Sequence, residues 1–501
     1  MPDIEHAVIV VGGGPTGMML AAELKLAGID VAIVERRSNR ALIGSRAGGL
    51  HTRTLEIFDQ RGIAERFLNE GQKAQTAGFA GVHFDLGAFP TRFPHGLGLW
   101  QMHTERIFGD WVDALGVRIY FDADVAELGQ DDTCVDAMLC DRRSVRASYL
   151  VGCDGGRSFV RKAAGIAFPG SDPTVSNIIA QVEMTGNPPL GVHRTALGLH
   201  SFGRLEYKIA DGRIVYANEG PYGVMVTERQ VGTKSEPTLD DLRDALIAVC
   251  GTDYGAHSPT VISRFTDAAR QAETYRRGRI LVAGDAAHIH PPDGGQGMQL
   301  GIQDAVNLGW KLAQVVQGIS PPELLETYHA ERHPIAACVL RMTMASVALR
   351  KDDDRTTALR EIVSDLLAMD GPRLEFAAML SGLGIHYDLG PGHPLLGRRM
   401  PDLDVTTDKG EVRVYSLMHQ AWPILLNFAS SNSIATGGWL DRVRLVEATY
   451  KGDWDLPVLG KVPAPTSVLI RPDGYVAWVG EEDDAGLMEA LTMWFGQPRT
   501  T

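Results

Sequence analysis

Cysteine is scarce in this chain: five in 501 residues, Cys134, Cys140, Cys153, Cys250 and Cys338. None forms a CxxC pair or a zinc-ligand spacing, so neither a disulfide scaffold nor a metal site is expected, and a reducing compartment is. Long apolar runs are missing too. None approaches the roughly 20 residues of a membrane span, and the start, MPDIEHAVIVVGGG, has acids where a secretory signal would carry basic residues. The expected setting is cytoplasmic, with no membrane partner. Basic residues are in deficit, with 48 Lys and Arg against 62 Asp and Glu, a formal charge of -14. That disfavours nucleic acid, whose phosphates are bound chiefly by Lys and Arg. What remains, 44% apolar and 22% charged, is ordinary for a globular chain, and the length calls for two or three domains.

The first chemistry lies at the N-terminus. AVIVV, residues 7–11, is a β-branched run suited to a parallel strand buried on both faces. Gly12-Gly13-Gly14-Pro15-Thr16-Gly17 follows, then a helical pattern that stops at Gly28 and a second strand, DVAIVE, ending at Glu35. In that strand-to-helix setting GxGxxG has a physical meaning. Gly12 permits the tight turn, Gly14 lets backbone approach a pyrophosphate, and Gly17 allows close helix-on-strand packing. The diphosphate then meets the helix N-terminus, and Glu35 is spaced to accept from a ribose. NAD and the ADP half of FAD present the same group, so this motif alone does not choose between them.

A second segment, GDAAHIHPPDGGQGMQLGIQDA, opens after the strand Ile280–Ala283. Asp285 at the carboxyl end of a parallel strand points into the crevice where such sheets bind ligands. Pro291-Pro292 makes a stiff turn without amide donors, and Gly294-Gly295-Gln296-Gly297 lets bare backbone approach a flat ligand. A helix is expected from Met298 to about Gly318, its dipole aimed at Gly297. A flavin meets each demand: Asp285 on the ribityl chain, and the amides from Gly295 to Met298 on the charge of the reduced ring. A third strand, YLVG, ends in Cys153-Asp154-Gly155-Gly156-Arg157-Ser158, which reads either as part of the same site or as a plain strand-to-helix connection.

Together GGGPTG, CDGGRS and GDAAHIHPPDGGQGMQLGIQDAVNLGWKL resemble the single-component FAD-dependent aromatic hydroxylases of the p-hydroxybenzoate hydroxylase fold. Within them the chain looks most like the polyketide and antibiotic hydroxylases, a group that includes angucycline and anthracycline oxygenases and rifampicin monooxygenase. The resemblance covers essentially the whole chain. It implies a cofactor set of Gly12, Gly14, Pro15, Thr16, Gly17, Glu35, Arg36, Arg46, Gln101, Val125, Asp154, Asp285, Pro292, Gly295, Gly297 and Met298. Arg46, in SRAGGLHTRTLEIFDQRGI, is the candidate for steering the flavin, and Pro292 lines the side of the ring where oxygen reacts; these two are the catalytic candidates. Met298-Gln299 departs from the Leu-Asn of many relatives. The implied chemistry is reduction of FAD by NADPH or NADH, addition of O2 at the flavin C4a carbon, and transfer of OH from the C4a-hydroperoxyflavin to an electron-rich aromatic ring. A polycyclic phenol or polyketide is the expected substrate. Baeyer–Villiger oxygen insertion or flavin-dependent reduction is the alternative, and a non-catalytic FAD-binding partner protein a more distant one. No catalytic base is named; His288 and His290 are read as structural in preference to catalytic.

No second GxGxxG occurs in a strand-to-helix setting, so a separate nicotinamide domain is not expected. Residues 176–270 turn to strand patterns such as RLEYKIA, RIVYANE and YGVMVTE. The resemblance makes this a sheet over the substrate cavity, joined by residues near 76–103. His193, Arg194, His200, Arg204, Tyr207, Tyr216 and Tyr222 carry its polar groups, each more readily a solvated strand residue than a ligand. Helical patterns return at 321–384, with a break or kink expected at Pro334. The hairpin SVLIRPDGYVAWVG turns at Asp473-Gly474. The fold expected is α/β (α+β): a Rossmann-like FAD-binding domain, 1–175 with 271–395; an inserted β-sheet substrate domain, 176–270; and a thioredoxin-like C-terminal domain, 400–501. None of the cysteines falls in that last domain, so a structural or dimerising role is expected of it, with a homodimer as the assembly to test.

Overall fold

The architecture comes from a computed structural model. It describes residues 2–499 apart from 43, 45, 46, 80, 81, 196, 211, 212, 232–234, 352, 430–436, 482 and 483, and at 76, 207, 209, 210, 213, 214 and 216 the backbone alone. Its centre is a parallel sheet. Strands β1 (Ile4–Val11), β2 (Val31–Val34), β3 (Ser144–Gly152) and β4 (Ile280–Val282) line up in the order β4-β3-β1-β2, and Arg118–Tyr120 adds to β2. Every side chain of β2 and β4 is buried, which is why these strands are apolar throughout instead of alternating. The register pairs Val11 with both Val34 and Gly152, and Gly152 with Val282. Four strand ends therefore reach one line, and the three sequence motifs that follow them meet there.

Four helices surround this edge: α1 (Pro15–Leu26), α2 (Thr52–Gln60), α3 (Gln101–Ala114) and α4 (Gln296–Val316), with α5 (Glu326–Ala348) behind α4. Helix α4 starts at Gln296, two residues earlier than expected, because Gly294 and Gly295 both adopt left-handed conformations (φ 68° and 63°) and complete the turn before it. Helix α5 runs through Pro334 without ending. Pro334 and Ala330, the residue whose carbonyl loses its donor, both face solvent, so water satisfies what the proline removes.

The inserted unit is a five-stranded antiparallel sheet in the order Gly191–Thr195, Gly198–Arg204, Tyr222–Thr227, Ser176–Met184, Ala256–Thr266. One face is covered by helix Leu239–Cys250, an element absent from the strand-only expectation. Its local signals are present: a Thr238–Asp241 capping box and a left-handed Gly251 after its last residue. Among the described residues, those near 76–103 add no strand to this sheet, and touch it through Trp100 Nε1, which donates to the Leu205 carbonyl (3.0 Å). They form a hairpin, Thr76–Phe79 with Val82–Asp85, and a small sheet of Gly96–Gly98 with Gly49–Leu50 and Gln72–Ala74. Phe79, Phe84, Leu86 and Phe89 pack instead against Leu367, Ala377 and Leu380 of the helices that follow α5.

The C-terminal unit has a sheet in the order Arg444–Glu447, Ile424–Asn427, Ser467–Ile470, Val476–Gly480, with helix Leu487–Phe495 against it. Its hairpin turn is not at the surface. Arg471 and Asp473 are fully buried, and Arg471 forms ion pairs with Glu331 of α5 (2.7 Å) as well as with Asp473. Lys311 and Asn307 of α4 bond to the same Glu331 carboxylate, at 2.9 and 2.6 Å. Burial alone would push Glu331 up, yet Arg471 and Lys311 hold its carboxyl down at about 2. Beside this group, Arg61 pairs with Glu23 at 2.6 Å and donates to the Pro472 carbonyl. Among the described residues no helix is long and apolar enough to cross a membrane, and no group of three or more His, Cys, Asp or Glu could hold a metal.

Candidate active site

Gly12, Gly14 and Gly17 wrap the N-terminus of α1 at the end of β1. A Cβ on Gly17 would overlap the Gly12 carbonyl oxygen, and one on Gly12 (φ 108°) would overlap the Cys153 carbonyl, so both positions demand glycine. A Cβ on Gly14 would meet nothing within 4 Å. The space over the free amides of α1 is open, with Pro15 supplying the first helical position, where its missing N–H costs nothing. Thr16 packs its hydroxyl against Gly284 and Gly301, locking α1 to the second motif.

Glu35, at the end of β2, accepts from the Gly13 amide (2.6 Å) and the Arg37 amide (2.8 Å). Burial would raise its carboxyl; the Arg37 amide and guanidinium and the Gly13 amide outweigh that and hold it below the usual range. A carboxylate has about four acceptor sites, which leaves room for a ribose hydroxyl. Arg37 was not anticipated. It donates to Glu105 of α3 (2.8 Å) and to the Gly13 carbonyl (3.0 Å), and Gln101 donates to the same Glu105 (2.8 Å). Arg36, the neighbour expected in the cofactor set, is exposed and has no partner among the described residues. Alternation beyond the strand end sends Arg36 outward and Arg37 inward, a difference of one residue that the RR dipeptide does not reveal. Val125 is buried at the start of its strand, and its amide donates to Asp124.

At the end of β3 the Asp154 carboxylate turns toward its own chain. It accepts from Ser158 Oγ (2.5 Å) and from the Phe159 and Val160 amides (2.7 and 3.1 Å), capping the short helix Phe159–Ala163. Arg161 ties this motif to the next by donating to the carbonyls of Gly156 (3.1 Å) and Ala286 (2.8 Å).

The end of β4 delivers Asp285, exposed to the crevice, while its neighbours Gly284 and Ala286 are buried. Behind it, His288 is fully buried. Its Nε2 lies 2.6 Å from Asp304, whose other oxygen accepts from Arg332 at 2.8 Å. Burial would raise Asp304; His288 and Arg332 hold it at about 2, so His288 belongs to a structural triad. His290 differs. Its Nδ1 bonds the Pro291 carbonyl (2.6 Å), while its buried Nε2 has no partner among the described residues. A Cβ on Gly297 would sit 3.6 Å from that nitrogen and 3.7 Å from Asp285 Oδ1, so both polar atoms point at one bare stretch of backbone. Pro292, Gly294 and Gly295 are exposed, and Gly297 and Met298 are half-buried at the first turn of α4.

The opposite wall is the N-terminus of α2. Gln299 accepts from Thr54 Oγ1 (2.6 Å) and the His51 amide (3.3 Å) and donates to the Gly49 carbonyl (2.9 Å). Burial pushes the His51 imidazole down to about 4, only partly opposed by the Gly294 and Leu380 carbonyls beside it. His51 and Gln299 carry no signal in sequence, since their partners lie some 250 residues away. Arg46, the candidate for steering the flavin, lies outside the described residues.

The polar residues on the sheet fall on the face covered by a helix. His200, Phe202, Tyr222 and Val226 share the face packed by Leu242 and Leu246, with His193 stacked on His200 and Arg204 donating to the Tyr222 hydroxyl. The opposite face, with Ile179, Gln181, Met225 and Ser263, is half-buried. A Cβ on Gly44, in the segment leading to α2, would meet Val261 on that face, so this is the side turned toward the crevice. Arg194 is exposed on the edge strand, and the side chains of Tyr207 and Tyr216 lie outside the described residues.

The family described as FAD binding domain matches residues 5–343, and that described as aromatic-ring hydroxylase, C-terminal, matches 393–498. The chain is 42% identical to a rifampicin monooxygenase of Streptomyces venezuelae, over 98% of each chain. An anhydrotetracycline hydroxylase from Streptomyces rimosus has a similar structure, with a TM-score of 0.89 at 39% identity over 99% of this chain and 100% of the other. An aromatic hydroxylase from angucycline biosynthesis superposes with a TM-score of 0.88 at 38% identity, again over 99% and 100%.

Proposed function

Because the chain belongs to the FAD-dependent aromatic-ring hydroxylases and is a flavin monooxygenase, we propose that it hydroxylates a polycyclic phenolic or polyketide-type aromatic substrate, with NADPH or NADH as reductant. The observation that carries the assignment of the site is the shared end line of β1, β2, β3 and β4. It gathers the open space at Gly14, the exposed Asp285 and the unpartnered His290 Nε2 along one crevice. These features fit an extended dinucleotide with a flat ring at its far end.

Gly12, Gly14, Pro15 and Gly17 would then hold the pyrophosphate on the α1 amides, and Glu35 the ribose, with Arg37 and Glu105 fixing Glu35 and Gln101 in turn. Thr16 and Asp154 act by packing and by capping. Asp285 would take a ribityl hydroxyl. The amides of Gly295, Gly297 and Met298 would face the ring, where the α4 dipole favours negative charge, and Pro292 would border it. Bound FAD supplies the two-electron reduction and oxygen chemistry that no amino-acid side chain provides. The chain's own tasks are to orient the ring and the aromatic substrate beneath the half-buried sheet face, and to keep water out. His51, held neutral, offers that wall no charge. Arg46 remains the residue we assign to steering the flavin. The division into 1–175 with 271–395, 176–270 and 400–501, a cytoplasmic setting and a homodimer belong to the same reading. The ion pairs around Arg471 support a structural role for the last domain.

The test is anaerobic stopped-flow reduction by NADPH, following flavin absorbance with and without polycyclic phenols, naphthoquinones and rifamycins. Substrate-dependent acceleration followed, on mixing with oxygen, by a hydroxylated product is the expected outcome. Bleaching at one rate whatever is added would remove substrate-gated hydroxylation. Oxygen uptake with a ring-expanded product would point to Baeyer–Villiger insertion instead.

A further inference from the structure

The turn that leads into α4 contains one charged residue, Asp293, and the chemistry of the site gives no reason for it. Its carboxylate is buried. One oxygen accepts from Ser346 Oγ at 3.1 Å and pairs with the Arg350 guanidinium, and the other has no partner among the described residues. Arg350 lies just past the C-terminus of α5 and is partly open to solvent. Asp293 directly precedes the left-handed pair Gly294-Gly295, whose backbone begins the row of amides at the N-terminus of α4.

An anionic side chain in this turn uses up part of the positive potential at the N-terminus of α4 and opposes negative charge developing on any ring seated there, and in a buried place that opposition is weakly screened. A guanidinium on the same carboxylate cancels it. We propose that Arg350 is a positioning residue that neutralises Asp293 and anchors the turn, so that the Asp293–Arg350 pair sets how strongly the site prefers reduced over oxidised flavin. The inference rests on the reading of this crevice as the flavin site. Arg350 acts through Asp293, the carboxylate it pairs with.

The charge argument fixes signs that a purely structural role would not. In Arg350→Met the uncompensated carboxylate weakens reduced flavin more than oxidised. A tenfold loss of that preference corresponds to a fall in the two-electron potential of about 30 mV. Asp293→Asn leaves Arg350 unpaired and raises the potential. The double variant D293N/R350M returns close to the starting potential, and Arg350→Lys preserves most of it. The experiment measures the reduction potential of the flavin-loaded full chain against reference dyes, together with flavin affinity by fluorescence quenching, for these four variants and the unaltered protein. Unchanged potentials in both single variants, or shifts of the same sign that add in the double variant, would overturn the pair's role while leaving the flavin site intact. An unaltered protein that binds no flavin would overturn the functional reading itself, and this inference with it.

Discussion

Two buried polar regions of this protein lie at the two ends of the same helices and are finished differently. Around Arg471, every charged group has its counter-ion: Arg471 with Glu331 and Asp473, Lys311 with Glu331, Arg61 with Glu23. Around Gly297, polar groups are left open: Asp285 faces solvent, His290 Nε2 and Asp293 Oδ2 have no partners among the described residues, and Gly14 borders empty space. A buried group without a partner costs about 1–3 kcal/mol, so such groups collect where a ligand completes them. Satisfied charge holds the first region together, and the second leaves its polar groups open along the crevice.

The comparison breaks if variants in the two regions behave alike. The largest effect is expected at the junction. Arg471→Met leaves Glu331 and Asp473 buried without their main cation and should cost about 3–5 kcal/mol in denaturant unfolding, with flavin affinity of the folded protein unchanged. Glu331 also makes this region sensitive to acid. Its folded value of about 2 lies below that of an unfolded carboxyl, so its contribution is complete above the ordinary carboxylate range and is lost as pH falls toward 2.

His51 stands on the crevice side and should add a separate limb. Held at about 4 against an ordinary 6.5, it contributes stability that is full above 6.5 and fades as pH falls toward 4. The whole limb amounts to up to about 3 kcal/mol. In His51→Gln, melting temperatures followed from pH 7 to 4 should fall less steeply than in the unaltered chain, and an equal slope would exclude His51 as the source. Gly17→Ala forces a Cβ into the Gly12 carbonyl and should cost flavin affinity about 10- to 100-fold, from about 1–3 kcal/mol of overpacking. Titration of the apoprotein with FAD reads this directly. The smallest shift is expected for Asp285→Asn, about tenfold in flavin affinity, with the melting temperature of the flavin-free protein unmoved because Asp285 is exposed and makes no hydrogen bond or ion pair among the described residues. Loss of apoprotein stability there would blur the distinction between the regions.

What could be read from the sequence divides along the same line. GGGPTG and PPDGGQG are legible because the constraint is local: a glycine is needed where a neighbouring carbonyl or a left-handed turn leaves no alternative. The Thr238–Asp241 capping box before Gly251 was equally local, and its helix was available to be read. The strand residues His200, Arg204 and Tyr222 have the right chemistry, but which face of the sheet is covered depends on that helix, so their direction could not be known without it. Arg37 and Arg36 differ by half a strand period. Gln299 and the RPDG turn depend on partners hundreds of residues away: SVLIRPDGYVAWVG announces a hairpin, yet nothing in it says that Glu331 waits to receive its arginine.

That buried turn also limits how this protein can be recombined. A hairpin whose tip packs Pro472, Arg471 and Asp473 against the end of α2 and the bodies of α4 and α5 is a matched half, and its complement is written in Gln60, Arg61, Asn307 and Glu331. Chimeras with relatives will tolerate exchange of the last hundred residues only when those four positions travel with them. This seam is thus inherited as a unit, although it is scattered along more than four hundred residues of chain.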